Sequence, residues 1–275
     1  MARRFAVVTD STADLPDEWR DRYGIEVVPL KVLFGQETFR DRIDMTDEEF
    51  FRRLAASATL PTTSAPSPGE FAEVYRRLAK DHDSCISIHI GAQLSATAEA
   101  ARVGAAAVDG FKVNVVDSKT VSMPIAFLCR IAAESDDLVA ATAAVERRVP
   151  KSRVLALLDT LRYLEMGGRL SRAQAMIGTM LDLKPLLLVA DAEIKPVDRV
   201  RTRSRAIPRM VEFFKGELPV EHVAVMHAQA ADEAQAIAEA LRRDLPEQEI
   251  TIGQIGCVLG THTGPRALGI VYLKA

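Results

Sequence analysis

The chain has 275 residues, 48% of them hydrophobic and 27% charged, which is the make-up of an ordinary globular protein and not of a disordered one. A formal net charge of −3 and a pI near 6.0 provide no chain-wide positive field for a phosphate backbone, arguing against a nucleic-acid partner. The length sits where a single hydrophobic core stops growing, so two lobes are expected.

Short apolar runs rich in β-branched residues alternate with amphipathic stretches, the pattern of a parallel sheet covered by helices. Phe5–Thr9 reads as the first strand. A helix over Pro16–Tyr23 follows, with Asp14 as N-cap and Pro16 in the first turn. Ile25–Leu33 reads as the next strand, and Thr46-Asp47-Glu48-Glu49 has capping-box spacing before a helix to Ser57. Helices over Phe71–Lys80, Ser95–Val108 and Ser122–Ala133 alternate with strands Cys85–Ile90 and Val113–Val116. The polar stretch Val149–Arg153 marks a lobe boundary, giving units 1–150 and 151–275.

Beyond the boundary the pattern predicts strand Val154–Leu158, a helix ending at Gly167-Gly168, and a helical segment around Ala173–Met180. Strands Pro185–Val189 and Ile194–Arg199 come next, then helix Ser204–Lys215, strand His222–Met226 and helix Ala231–Asp244. Strands Ile250–Ile255 and Ala267–Leu273 complete the chain. The fold class expected is α/β and two-lobed: an N-terminal, mostly parallel, Rossmann-like sheet with helices on both faces, then a C-terminal α/β lobe with a mixed sheet.

Cys85, Cys129 and Cys257 are odd in number, widely spaced and in apolar contexts. They form neither a metal knuckle nor a disulfide framework, and read as buried thiols in a reducing compartment, hence a cytoplasmic protein. Arg3 and Arg4 precede an apolar run of only Phe5–Val8, too short for a signal-peptide core. No apolar run approaches the roughly 18 residues that a membrane span needs.

In open α/β sheets ligands sit beyond the carboxyl ends of strands, where helix N-termini offer unpaired N–H groups. Three hydroxyl-rich segments fall there: Thr9-Asp10-Ser11-Thr12, the loop Thr62-Thr63-Ser64-Ala65-Pro66-Ser67-Pro68, and Gln93-Leu94-Ser95-Ala96-Thr97. Such residues at helix starts are commonly plain N-caps, and Ser67 before a proline reads best that way. Gly260-Thr261-His262-Thr263-Gly264-Pro265 places a histidine in a glycine-rich turn, where it packs poorly but can donate to a carboxylate in either charge state. His82, His89, His222 and His227 lack metal-ligand spacing, so no metal site is expected. Ser95, His262 and an aspartate would be parts for a hydrolase or acyl transferase, but the G-x-S-x-G elbow is missing. Neither a Walker A motif nor a post-strand G-x-G-x-x-G occurs.

Taken together, Thr9-Asp10-Ser11-Thr12-Ala13-Asp14-Leu15, Thr63-Ser64-x-Pro66-Ser67-Pro68, Leu94-Ser95-x-Thr97, Tyr163-Leu164-x-x-Gly167-Gly168-Arg169-Leu170-Ser171, Val200-Arg201-Thr202-Arg203 and His262-Thr263-Gly264-Pro265 resemble the DegV family of bacterial fatty-acid-binding proteins. Their order spans nearly the whole chain. The resemblance implies a non-catalytic lipid carrier that holds a long-chain fatty acid in a buried tunnel and needs no cofactor. It also implies a partner, a fatty acid kinase that phosphorylates the presented carboxylate to an acyl phosphate for phospholipid synthesis. By motif, Thr63, Ser95 and His262 match carboxylate-binding positions, with Ser64, Ser67, Asp10, Ser11 and Thr97 in supporting loops. Arg169, Arg201 and Arg203 match basic positions facing the kinase.

Physical chemistry is compatible with that implication. Burying about 15 methylenes at about 0.8 kcal/mol each sets an upper bound near 12 kcal/mol, while a carboxylate taken out of water must be hydrogen-bonded. Ile125–Leu128, Met176–Leu183 and Leu186–Val189 are candidate tunnel walls, with Met123, Met176 and Met180 as adaptable fillers. Three departures stand out: Ala96 and Arg266 where the family usually has glycine, at the head-group approach and beside His262, and Ala192 at a turn, expected to act only locally. The arginines at 199, 201, 203, 205 and 209 form either a solvated face or a docking strip. A lipid-dependent regulator is a third reading beside carrier and enzyme. A monomer is expected, since no oligomerisation segment is evident.

Overall fold

The computed structural model describes residues 5–170 and 183–275. Strands β1 (Phe5–Asp10), β2 (Ile25–Val28), β6 (Ser84–His89) and β7 (Lys112–Asp117) form a parallel sheet in the order β2-β1-β6-β7. Alternate residues point to opposite faces, which explains why these strands read as unbroken apolar runs. On one face Val7, Ile86 and Ile88 pack with Trp19 of α1 (Asp17–Tyr23) and Leu128 of α5 (Met123–Ala133). On the other, Ala6, Val8 and Cys85 meet Phe71 and Tyr75 of α3 (Pro68–Leu78) and Ala101 of α4 (Thr97–Ala106).

The expected strand Ile25–Leu33 is two strands. Pro29 removes a backbone donor and breaks the ladder, after which β3 (Lys31–Phe34) leaves to pair antiparallel with β4 (Glu37–Arg40) and β5 (Thr62–Ser64). Asp14 does not cap α1: the N-cap is Pro16, and Asp14 sits buried with φ 47°. Helix α2 (Asp47–Ala56) is capped by Thr46 as its spacing predicts. Helix α6 (Leu138–Arg148) is absent from the sequence-based expectation, because its buried face is only Leu138, Ala141 and Val145 among many alanines, a weak periodic signal.

The second sheet is mixed, in the order β10-β9-β8-β13-β11-β12. It consists of β8 (Ser152–Leu157), β9 (Lys184–Ala190), β10 (Glu193–Val200), β11 (Val220–His227), β12 (Ile250–Gln254) and β13 (Leu268–Lys274), with only β11 and β12 parallel. Its outer face, carrying Leu155, Val223, Val225, Ile270 and Tyr272, is covered by α8 (Arg203–Lys215) and α9 (Ala231–Asp244). The inner face, with Val154, Leu187, Val189, Met226 and Val271, belongs to the same core as Leu30, Ile88 and Ile90 of the first lobe. Two short helices run across this junction, α7 (Arg162–Met166) and α10 (Cys257–Thr263). The predicted helix Ala173–Met180, Ser171, and the tunnel candidates at 176–182 lie outside the described residues.

Candidate functional site

Between the lobes lies an apolar cavity with an empty volume of about 980 Å³, counting the open solvent at its mouth. Its floor follows from sheet register. One row of inward residues runs Leu187, Ala156, Gly269 and Met226, and the next Val189, Val154 and Val271. Ala156 and Gly269 are small and adjacent, so a trough crosses the middle of the sheet. Leu30, Ile90 and Val121 roof it from the first lobe, and Ile255, Val258 and Leu259 close one side. The expected wall Leu186–Val189 contributes only alternate residues, Leu187 and Val189. Ile125, Leu128 and Met123 are fully buried core of α5 instead, and Met226 is the methionine at the cavity.

Polar groups gather at one place on this cavity: Thr63, Ser95, His262 and Arg169. Thr63 arrives on β5 and Ser95 just before α4. His262 sits in the last turn of α10, a helix where a glycine-rich turn was expected. Gly260 lets that helix approach α2, since a Cβ there would come within 2.8 Å of the Phe50 and Phe51 rings. His262 Nε2 lies 3.0 Å from Thr63 Oγ1, and Nδ1 is buried with no hydrogen-bond partner among the described residues. It packs on Gly167, where a Cβ would lie 2.2 Å from Nδ1. With no acceptor at Nδ1 among the described residues, the ring proton is assigned to Nε2. The imidazole then donates to Thr63, whose own hydroxyl hydrogen is free for a ligand. Burial, reinforced by the charge of Arg169, holds the His262 pKa down to about 4, so the ring is neutral near pH 7. Ser95 Oγ is 2.8 Å from Thr97 Oγ1 and pairs with it, not with His262.

The remaining expected residues divide. Arg169 is exposed at the mouth and donates to the Leu94 and Gly167 carbonyls. Thr97 is buried behind Ser95. Ser67 is the N-cap of α3 in a capping box with Glu70, and exposed Ser64 bonds the Ala65 carbonyl; neither reaches the cavity. Asp10 is fully buried, where it accepts from Thr12 and faces His89 Nδ1 at 3.0 Å; His89 Nε2 lies 2.7 Å from Ser87 Oγ. That Ser–His–Asp chain has the connectivity of a catalytic triad but is sealed in the core. Ser11 accepts from the Leu30 amide below the cavity roof. Arg201 is exposed, whereas Arg203 is not free for docking as expected: its side chain is 11% exposed and held by Glu233 and Asp159. Arg266, at φ 61°, points to the same pair, away from His262, so it adds nothing to the head-group site. Ala96 is exposed at the start of α4. Ala192 acts beyond its own turn, donating its amide to the Lys119 carbonyl across the lobes.

Sequence reasoning missed a second cluster at the start of α10. Asp14 Oδ1 accepts from the Gly256 amide at 2.9 Å and its Oδ2 from the Ser122 hydroxyl at 2.6 Å. Asp41 Oδ1 accepts from the Cys257 amide at 3.1 Å. Asp41, Asp47 and Cys257 bring donor atoms within 4.8 Å of one another, and Arg42 supplies positive charge there. Burial raises Asp14 to about 7 and Asp41 to about 6, against the pull of Arg42. The signal for this cluster was weak because acids at 14, 41 and 47 are separated by loops and meet only in the fold.

The chain is similar to known proteins in both sequence and fold. Residues 4–275 match the family described as "Uncharacterised protein, DegV family". A DegV domain-containing protein of Streptomyces coelicolor is 38% identical over 98% of this chain and 99% of its own length, and the DegV protein of Bacillus subtilis is 36% identical over 97% and 98%. The crystal structure of the Bacillus subtilis DegV, described as a fatty acid binding protein, superposes with a TM-score of 0.90 at 35% identity over the full length of both chains. A Thermus thermophilus DegV family structure described for its fatty acid binding gives 0.91 at 33% identity, over 99% and 100%. Among the described residues no helix is long and apolar enough to cross a membrane. The chain therefore belongs to the DegV family.

Proposed function

We propose that this protein binds a long-chain fatty acid in the interlobe cavity, with the carboxylate at Thr63, Ser95 and His262 and the acyl chain along the trough over Ala156 and Gly269. The observation that carries the reading is an apolar cavity with Thr63, Ser95 and His262 on its lining, where the other lining hydroxyls, of Ser122 and Thr263, already donate to Asp14 and the Leu259 carbonyl. A buried carboxylate needs donors and a methylene chain needs none. Two relatives of the same fold, described as binding fatty acids, support it. Equilibrium binding of a labelled fatty acid tests it. One saturable site is expected, weakened about tenfold or more in Thr63→Val through loss of a hydrogen bond to a charged group; absence of saturable binding overturns it.

The finer reading is that the bound carboxylate is presented to a fatty acid kinase and leaves as an acyl phosphate, with Arg169 and Arg201 as the exposed basic residues facing that partner. The carboxylate end at an open mouth supports it, as does the lack of a hydrogen bond between Ser95 and His262 that would activate a hydrolytic serine. Acyl phosphate formation with kinase and ATP, slowed in Arg201→Ala at unchanged lipid affinity, is the expected result. Hydrolysis of an acyl ester by this protein alone, lost in Ser95→Ala, would support the enzymatic alternative.

A further inference from the structure

The N-terminus of α10 is held on the first lobe by Asp14, Asp41 and Arg42, groups outside the cavity's polar end, with the Cys257 thiol reaching the Met45 carbonyl and Asp47 beside them. Asp14 and Asp41 accept from consecutive amides, Gly256 and Cys257, at the helix start. Arg42 Nη2 donates to the Gln254 carbonyl at 2.7 Å, one turn of chain earlier. Its guanidinium also lies 3.4 Å from Asp14 and 3.2 Å from Asp47. Arg42 holds φ at 58° to reach these groups, a region that favours glycine. Its side chain is 30% exposed, and its contacts hold the backbone in that region.

The other end of this seven-residue helix carries His262. Ile255, Val258 and Leu259 of the same segment form a cavity wall, and Ser122, which bonds Asp14, also lines it. Whatever moves the helix start therefore moves both the wall and the histidine that meets Thr63.

We propose that Asp14, Asp41 and Arg42 are positioning residues that dock the start of α10 on the first lobe and hold His262 against Thr63, so that undocking loosens the carboxylate site and speeds the release of a bound fatty acid. This rests on the proposed carboxylate site. The charged and titratable groups facing the dock are Arg42, Asp14, Asp41, Asp47 and the Cys257 thiol, with the Ser11 and Ser122 hydroxyls beside them. Asp14 and Asp41 are buried, while Arg42 and Asp47 keep partial contact with solvent. Burial raises the pKa of Asp14 and Asp41 against the pull of Arg42, and hydrating them on undocking removes that penalty. Undocking is thus favoured as pH rises through about 6 to 7.

The test is the fatty-acid release rate in stopped flow, together with hydrogen exchange of residues 255–263 in the ligand-free protein. Arg42→Ala is expected to release about tenfold faster at pH 8, with faster exchange confined to 255–263, and Arg42→Lys to fall between it and native. In Asp14→Asn/Asp41→Asn the amide oxygens still accept from Gly256 and Cys257, but the charge is gone. The ratio of native to variant release rates, in which the lipid's own titration cancels, should then rise between pH 5 and pH 8. Native-like release and exchange in Arg42→Ala, or a ratio constant with pH, overturns the dock. If no fatty acid binds, the carboxylate reading fails, while the exchange data still decide whether Arg42 anchors α10.

Discussion

At the residue scale the site turns on one tautomer. A neutral His262 with its proton on Nε2 passes a donor through Thr63, so the ligand meets an uncharged hydroxyl and an adjacent serine instead of a clamp of cations. The folded pKa lies below the usual histidine value. Its contribution to stability is therefore full above about 6.5 and lost as pH falls towards about 4. Titration by NMR should show the His262 ring uncharged at pH 6, and a pKa near that of free histidine would remove the argument. His262→Ala should weaken fatty-acid binding about tenfold or more while Ser64→Ala, outside the cavity, leaves it unchanged. Thr63, Ser95 and His262 could be singled out beforehand because their motifs are local. Arg203 was misplaced because the sequence does not show that Glu233 and Asp159 hold it, whereas Ser67 is the N-cap that its place before a proline suggests.

At the scale of elements, glycines set how closely α7, α10 and their neighbours pack. Gly264 clears the Tyr163 ring, where a Cβ would lie 2.3 Å away, and Gly167 clears the His262 ring. Gly167→Ala must displace one of them, so it is expected to weaken lipid binding as strongly as His262→Ala; native affinity would show that α7 yields freely. Gly269 is different, since an added Cβ there makes ordinary contacts at 3.5 Å or more. Gly269→Val or Ala156→Leu should fold normally and fill the trough, shifting the bound lipid to shorter chains, which extraction and mass spectrometry would detect. An unchanged chain profile would move the acyl path elsewhere in the cavity. Strong periodicity made α2, α3, α8 and α9 legible, whereas α6 and α10 were hidden by alanine, glycine and short length.

At the scale of the molecule, the two sheets share one core, and the cavity is the part of their contact that side chains leave unfilled. Fold class was readable because alternation of strand and helix is a repeated signal. The acid cluster at the lobe junction was not, because it depends on loops brought together across more than 200 positions, as in the Asp41–Cys257 contact. Asp14 and Asp41 have raised folded values, so their contribution to stability is full below about 4 and lost as pH rises through about 6 to 7. The histidines with lowered values act oppositely below about 6.5, so the variant comparison isolates the acids. Relative to native, Asp14→Asn/Asp41→Asn should gain melting temperature at pH 8 over pH 5; a difference independent of pH would contradict it.

The central claim is that the cavity holds a fatty acid by its carboxylate. Native mass spectrometry of the purified protein, followed by denaturing extraction, tests it most directly. The account predicts one long-chain fatty acid per chain, depleted in Thr63→Val and His262→Ala. A native protein that carries no lipid and takes up none when fatty acid is added would contradict it.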